Sequence, residues 1–202
     1  MVKVSERIRN TLKSAGTSGR PGSILHNAFR ENNVTVLGSG SYGAAIEDDG
    51  EVFKIFCSDE VGYGAFLQFL KGKSSVLLPR VKTVGTFGNY TCTHIERLYP
   101  LDSMEDCDAY YMAAWISEVA LNHRHKKYGH GFNQGKPKFP KNGEKYVNRT
   151  NMIGLIKKMV DWMYANDYQY QVSLDLHCGN FMLRNNPDGT QQVVITDPFC
   201  NS

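Results

Sequence analysis

Ser173-Leu174-Asp175-Leu176-His177-Cys178-Gly179-Asn180 and, shortly after, Ile195-Thr196-Asp197-Pro198-Phe199 decide how this chain reads. They string a carboxylate, a carboxamide and a second carboxylate along one end of the sequence. Between them, Phe181-Met182-Leu183-Arg184 has strand character and Asn185-Asn186-Pro187-Asp188-Gly189 has the residues of a turn. Val193-Val194-Ile195 then returns as a second strand. The hairpin predicted by this pattern folds Asn180 and Asp197 back toward each other. Two carboxylates sharing one pocket repel, and burying either ion is costly. A divalent cation removes that conflict, and the oxygens of Asn180 and Asp197 are hard donors suited to Mg²⁺. Asp175 is left to accept a proton from a hydroxyl and to orient it.

Upstream, Val34-Thr35-Val36-Leu37 is a strand candidate that runs into Gly38-Ser39-Gly40-Ser41-Tyr42-Gly43. A dinucleotide-binding turn needs a long helix directly after its third glycine. Here Ala44-Ala45-Ile46-Glu47 meets the hairpin turn Asp48-Asp49-Gly50, followed by the strand Glu51-Val52-Phe53-Lys54-Ile55-Phe56. The order predicts a β-hairpin flap at Gly38, Gly40 and Gly43. Such a flap either cradles phosphate or is a plain flexible turn. Lys54 shares a strand face with Val52 and Phe56, where a lysine meets an anion or snorkels to water. In the first case it would hold the α- and β-phosphates of a nucleotide.

A helix is expected over Asp59–Leu70, capped by Asp59 and stopped near Gly72, with Val61, Ala65, Phe66 and Phe69 as its apolar stripe. Glu60 is its only glutamate. It is a candidate partner for Lys54, or an acid placed for the helix dipole. Strands over Val81–Phe87 and Tyr90–Ile95 lead to Glu96-Arg97-Leu98-Tyr99-Pro100. By order this is a hinge, with backbone groups from Glu96 onward available to an adenine edge.

The flanks are plainer. Val4, Ile8 and Leu12 predict an opening amphipathic helix, Ser14 to Gly22 a flexible linker, and Ile24 to Arg30 a short helical patch. Ser103-x-x-Asp106 resembles a capping box before the stripe of Tyr111, Trp115, Ile116 and Val119. His123 to Arg149 is expected as a polar loop, since no set of ligands nearby completes a metal site with His123, His125 and His130. Thr150 or Asn151 is expected to cap a helix carrying Met152, Ile156, Met159, Val160 and Met163. With 202 residues, 41% hydrophobic and 21% charged, the chain has the composition of an ordinary soluble globule. A net charge of +3 argues neither for nor against a nucleic-acid partner, and no uncharged run is long enough for a membrane span. Five scattered cysteines without a CxxC pair indicate reduced thiols, and the start of the chain carries no leader pattern.

Taken together, these residues resemble the protein-kinase-like fold, and more closely the early Ser/Thr protein kinases of T-odd (short-tailed) phages, which modify host proteins. The resemblance rests on the Leu-Gly-x-Gly-x-x-x-Ala-Ala flap of Leu37 to Ala45, on Lys54, on Asp-x-His-x-Gly-Asn-x-Met from Asp175 to Met182, and on Ile-Thr-Asp-Pro from Ile195 to Pro198. It implies an α+β, two-lobed fold with a β-rich N-lobe and a reduced, truncated helical C-lobe. The expected blocks are an N-terminal helical extension and linker over 1–33, the N-lobe over 34–97 and the C-lobe over 98–202. It further implies ATP and Mg²⁺ as cofactors and Asp175 and Lys54 as catalytic residues. Gly38, Gly40, Gly43, Lys54, Glu60 and Glu96 would serve the nucleotide, and Asn180 and Asp197 the metal. The partners would be bacterial host proteins in the cytoplasm of the infected cell, with neither membrane nor direct nucleic-acid binding.

Three departures from the general kinase pattern stand out. Ser173-Leu174 replaces the usual His-Arg, Pro198 replaces a glycine, and no activation segment is expected after Asp197. Two alternatives therefore accompany the kinase. One is a catalytically weak kinase-like protein that binds and inhibits a host factor. The other is a small-molecule phosphotransferase of the aminoglycoside- or choline-kinase type, whose members share Asp-Leu-His-x-Gly-Asn.

Overall fold

A computed structural model describes residues 4–16, 18–105, 107–130 and 138–201. The chain is mixed α and β, with five α-helices and three sheets among these residues. In chain order the elements are α1 (Glu6–Ser14), α2 (Pro21–Glu31), β1 (Thr35–Ser39), β2 (Gly43–Asp48), β3 (Glu51–Cys57), α3 (Val61–Leu70), β4 (Val81–Phe87) and β5 (Tyr90–Ile95). Then follow β6 (Tyr99–Pro100), α4 (Ala109–Tyr128), α5 (Arg149–Ala165), β7 (Val172–Leu174), β8 (Phe181–Asn185), β9 (Gln191–Ile195) and β10 (Phe199–Asn201). The chain divides into two units. One takes the chain up to Glu60 plus Arg80–Arg97, and the other takes Val61–Pro79 plus the chain from Leu98 onward.

The first unit is an antiparallel sheet in the order β1-β2-β3-β5-β4. The two-residue turn between β2 and β3 has Asp49 at φ 51° and Gly50 at φ 79°, the paired left-handed geometry that Asp-Gly supplies at low cost. Alternation along β2, β3 and β5 gives the sheet one face of Ala44, Ile46, Phe53, Ile55 and Cys92. Val4 just ahead of α1 and Ile8 and Leu12 from α1, with Leu25 and Phe29 from α2, cover that face in one buried core. Each fully buried Leu or Phe contributes about 1.5–3 kcal/mol, which explains why the first 33 residues are part of this unit. The expected linker is shorter than predicted. Pro21 opens α2 at the first helical position, where its missing N–H costs nothing. Thr17, within that linker, lies outside the described residues.

In the second unit, β6-β8-β9 form one sheet and β7 pairs with β10. The hairpin expected between Phe181 and Ile195 is present, with Phe181 opposite Ile195 and Asn185 opposite Gln191. Arg184, buried in β8, donates through Nη2 to the Leu78 carbonyl at 2.9 Å, and the Ile195 N–H donates to the Leu77 carbonyl at 3.0 Å. These bonds tie the stretch after α3 to the hairpin. The helix α3 packs by its aromatic face, with Phe66 edge-on to Phe199 and Phe69 edge-on to Trp162. This explains why it joins the second unit and leaves the contiguous block expected over 34–97.

Three expected caps are replaced. Asp59 does not cap α3. Its first N–H groups, Val61 and Gly62, both donate to Oδ1 of Asn201 at 3.0 Å. Asp108 caps α4, accepting from Tyr110 and Tyr111, while Ser103 lies in a short 3₁₀ turn. Asp106, the other half of the expected capping box, lies outside the described residues. Asn148 caps α5, accepting from the Asn151 N–H at 3.0 Å. The polar loop expected near 123–149 is likewise shortened. The helix α4 runs through His123 and His125 to Tyr128 and ends at Gly129, left-handed at φ 71°. Of the expected loop, 131–137 lie outside the described residues.

Candidate functional site

The second unit brings Asp175, Asn180 and the Thr196–Pro198 stretch together through backbone bonds. The Asp175 N–H donates to the Pro198 carbonyl at 2.9 Å. The Asp175 carbonyl accepts from Nδ2 of Asn180 at 2.7 Å. The Asn180 carbonyl in turn accepts from both the N–H and the hydroxyl of Thr196, each at 2.9 Å. These bonds lace the two motif segments into one loop pair, so the residues flanking Asp197 are fixed to the residues flanking Asp175. Pro198 fits this scheme, because the lacing uses its carbonyl and never needs an N–H.

Each functional group is then left in a defined state. Asn180 is buried. With Nδ2 committed to Asp175, its Oδ1 is the atom that remains to accept. The Asp175 side chain is partly open, 37% exposed, and its Oδ1 lies 3.6 Å from Nε2 of His177. His177 Nδ1 accepts the Gly179 N–H at 3.1 Å, so the ring proton sits on Nε2, the nitrogen facing Asp175. The imidazole two residues later therefore stands near the carboxylate without a direct hydrogen bond to it.

Among the described residues no three His, Cys, Asp or Glu side chains gather as a metal cluster. Mg²⁺ does not require one, since it is commonly held by one or two carboxylates and by substrate phosphates. Asn180 Oδ1 and the Asp197 carboxylate are hard oxygens on adjoining laced segments, and this donor set fits that ion.

In the first unit the flap forms as expected, from β1 through the glycines into β2. The β3 strand places Lys54 opposite Ala45 and Thr93, on the sheet face away from α1 and α2. Its neighbours there, Val52, Phe56 and Thr93, are buried, and Lys54 itself is half-buried. The glycines divide by cause. A Cβ on Gly43 would lie 2.3 Å from the Ile55 carbonyl oxygen, so strand packing demands glycine there. Gly38 and Gly40 have open space where a Cβ would stand and no left-handed φ. Neither a Cβ clash nor a left-handed backbone demands glycine at these two positions.

Glu60 is buried directly ahead of α3, outside the helix in which it was expected. Glu96 is anchored at the end of β5. Its N–H donates to the Arg80 carbonyl at 3.1 Å, and its Oε1 accepts the Arg80 N–H at 2.7 Å.

A separate polar cluster joins α4 to α5. Asp161 accepts from His123 at 2.7 Å and from Tyr128 at 2.9 Å, and pairs with Lys127 at 2.8 Å. Tyr128 stacks on Tyr164 at 3.8 Å between ring centroids. Burial pushes the Asp161 carboxyl up, but its three donors more than reverse this and hold it at about 2. The cysteines are all free thiols, and burial pushes Cys92 up to about 12, which suits a packing role.

Sequence reasoning missed the approach of His177 to Asp175, Asn201 as a cap and Gly22 beside the flap. Only His177 carried a local signal, its place two residues after Asp175. No helix among the described residues is long and apolar enough to cross a membrane. No family model matches the chain, and no curated protein matches it.

Proposed function

We propose that the chain is an ATP- and Mg²⁺-dependent phosphotransferase of two-lobed, protein-kinase-like fold, acting on Ser or Thr hydroxyls of host proteins in the cytoplasm of an infected bacterial cell. The observation that carries this is the lacing of Asp175, Asn180 and Thr196–Pro198. It ties the segment that carries a partly open carboxylate to the segments that carry two oxygen donors of the kind that suits Mg²⁺, and these are parts a phosphoryl-transfer site needs. The flap is a second support, because Gly38 and Gly40 lack a packing cause and a close backbone approach to phosphate supplies one. Lys54 is a third, as a half-buried cation in an apolar strand.

The proposal gives each residue a role. Asp175 accepts a hydrogen bond from the attacking hydroxyl and takes its proton as the new O–P bond forms and the bond from the γ-phosphorus to the β,γ-bridging oxygen breaks, releasing ADP. Asn180 and Asp197 would hold the cation, which when bound neutralises charge on the phosphates. Lys54 pairs with the nucleotide's phosphate oxygens. Glu60 and Glu96, given nucleotide roles from the sequence, keep them only as part of this proposal.

Incubation of the purified chain with γ-labelled ATP, Mg²⁺ and bacterial lysate tests the assignment. Label on protein bands that survives hydroxylamine and is recovered as phosphoserine or phosphothreonine after acid hydrolysis supports it. Label found only in small metabolites points to a small-molecule phosphotransferase. No transfer, with a host protein bound tightly, points to an inhibitor.

A further inference from the structure

The first turn of α2 abuts the glycine flap. The Gly22 N–H donates to the Ser41 carbonyl at 3.4 Å. A Cβ built on Gly22 would lie 1.7 Å from the Gly40 carbonyl oxygen and 2.8 Å from its carbon, so that C=O bond points almost directly at the helix. The same Cβ would lie 2.8 Å from the Gly43 oxygen, and inside the flap the Gly40 N–H closes onto Gly43 at 2.9 Å. Only glycine fits at position 22, and what excludes a side chain is flap backbone.

The orientation of these carbonyls has a chemical consequence. In a planar trans peptide the N–H points opposite to the C=O, and the described residues contain no cis bond. With the Gly40 and Ser41 carbonyls turned toward α2, the N–H groups of Ser41 and Tyr42 are turned away from it. The helix packs on the sheet face opposite Lys54. Those two N–H groups therefore look toward the Lys54 side.

We infer that α2 is a clamp for the flap and that Gly22 is a positioning residue, holding the Ser41 and Tyr42 amides as paired donors for the anionic oxygens of a nucleoside triphosphate. This rests on the nucleotide reading for its ligand, while the clamp itself is independent of it. The positive end of the helix macrodipole meets the flap carbonyls and stabilises that orientation. A glycine flap would otherwise spend conformational entropy at each binding event; here α2 fixes it beforehand.

Amide hydrogen exchange and ATP kinetics on the full chain test the clamp. Gly22→Ala is expected to speed exchange at Ser41 and Tyr42 relative to α5 and to raise KM for ATP by about 10- to 100-fold with kcat little changed. Gly16→Ala, where a Cβ meets open space, is expected to leave both readouts at wild-type values. Pro21→Gly loosens the same turn without adding a clash, and carries the test if Gly22→Ala does not fold. Wild-type flap exchange in a folded Gly22→Ala or in Pro21→Gly overturns the clamp. Faster flap exchange in these variants, with Mg·ATP changing nothing in the wild-type chain, keeps the clamp and overturns the nucleotide reading.

Discussion

The side-chain amide of Asn180 donates to the backbone carbonyl of Asp175 at 2.7 Å. This bond gives the five-residue spacing of the motif a physical meaning. It closes the turn that aims Asp175 and also fixes the orientation of the Asn180 amide. Asn180→Ala removes both effects and is expected to lower activity and Mg²⁺ affinity by about 10- to 100-fold. The check is a Mg²⁺ titration of phosphotransfer rate, and an unchanged midpoint contradicts the assignment.

Asn201 and α3 make a second point, because the cap and the capped helix are far apart in the chain. Asn201→Ala leaves the first N–H groups of α3 without their acceptor, at a cost of about 0.5–2 kcal/mol. Asn201→Asp keeps an acceptor and adds a charge favourable to the helix dipole, so its stability is expected near wild type. Denaturant unfolding of both variants is the test. Equal losses in the two would show that capping is not the contribution made by Asn201.

The Asp161 cluster gives a pH dependence with a definite sign. Burial raises this carboxyl, and Lys127, His123 and Tyr128 bring it below its ordinary 3.8, to about 2. A carboxyl lowered on folding stabilises the native state above its unfolded value, and that contribution is lost as pH falls from about 3.8 to about 2. Asp161→Asn is therefore expected to melt lower than wild type near neutral pH, with the gap closing across that acid window. A gap that stays constant through it would rule out the charged form as the source.

Much of the fold was legible because it is written locally. Strand alternation, the Asp49-Gly50 turn and the hairpin turn before Gln191 depend on neighbouring residues, and β2, β3, β4, β5, β8 and β9 stand where the pattern put them. The motif residues Asp175 and Asn180 were legible for the same reason. What was not legible depends on remote contact. Asp59 is a good local cap for α3, but Asn201 reaches the same N–H groups from the far end of the chain. The polar tail of α4 looked like a loop until Asp161 on α5 supplied partners for His123, Lys127 and Tyr128. Gly22 gave no signal, since its reason to be glycine is backbone some twenty residues away.

The most direct measurement compares wild type and Asp175→Ala for transfer of γ-labelled phosphate to protein and, separately, for Mg·ATP binding. The substitution spares the loop, because the backbone N–H and carbonyl of residue 175 make the bonds to Pro198 and Asn180. Wild type is expected to label Ser or Thr of host proteins, while Asp175→Ala binds nucleotide comparably and transfers nothing. Transfer retained by Asp175→Ala, or no transfer by wild type under the same conditions, would contradict the phosphotransferase assignment.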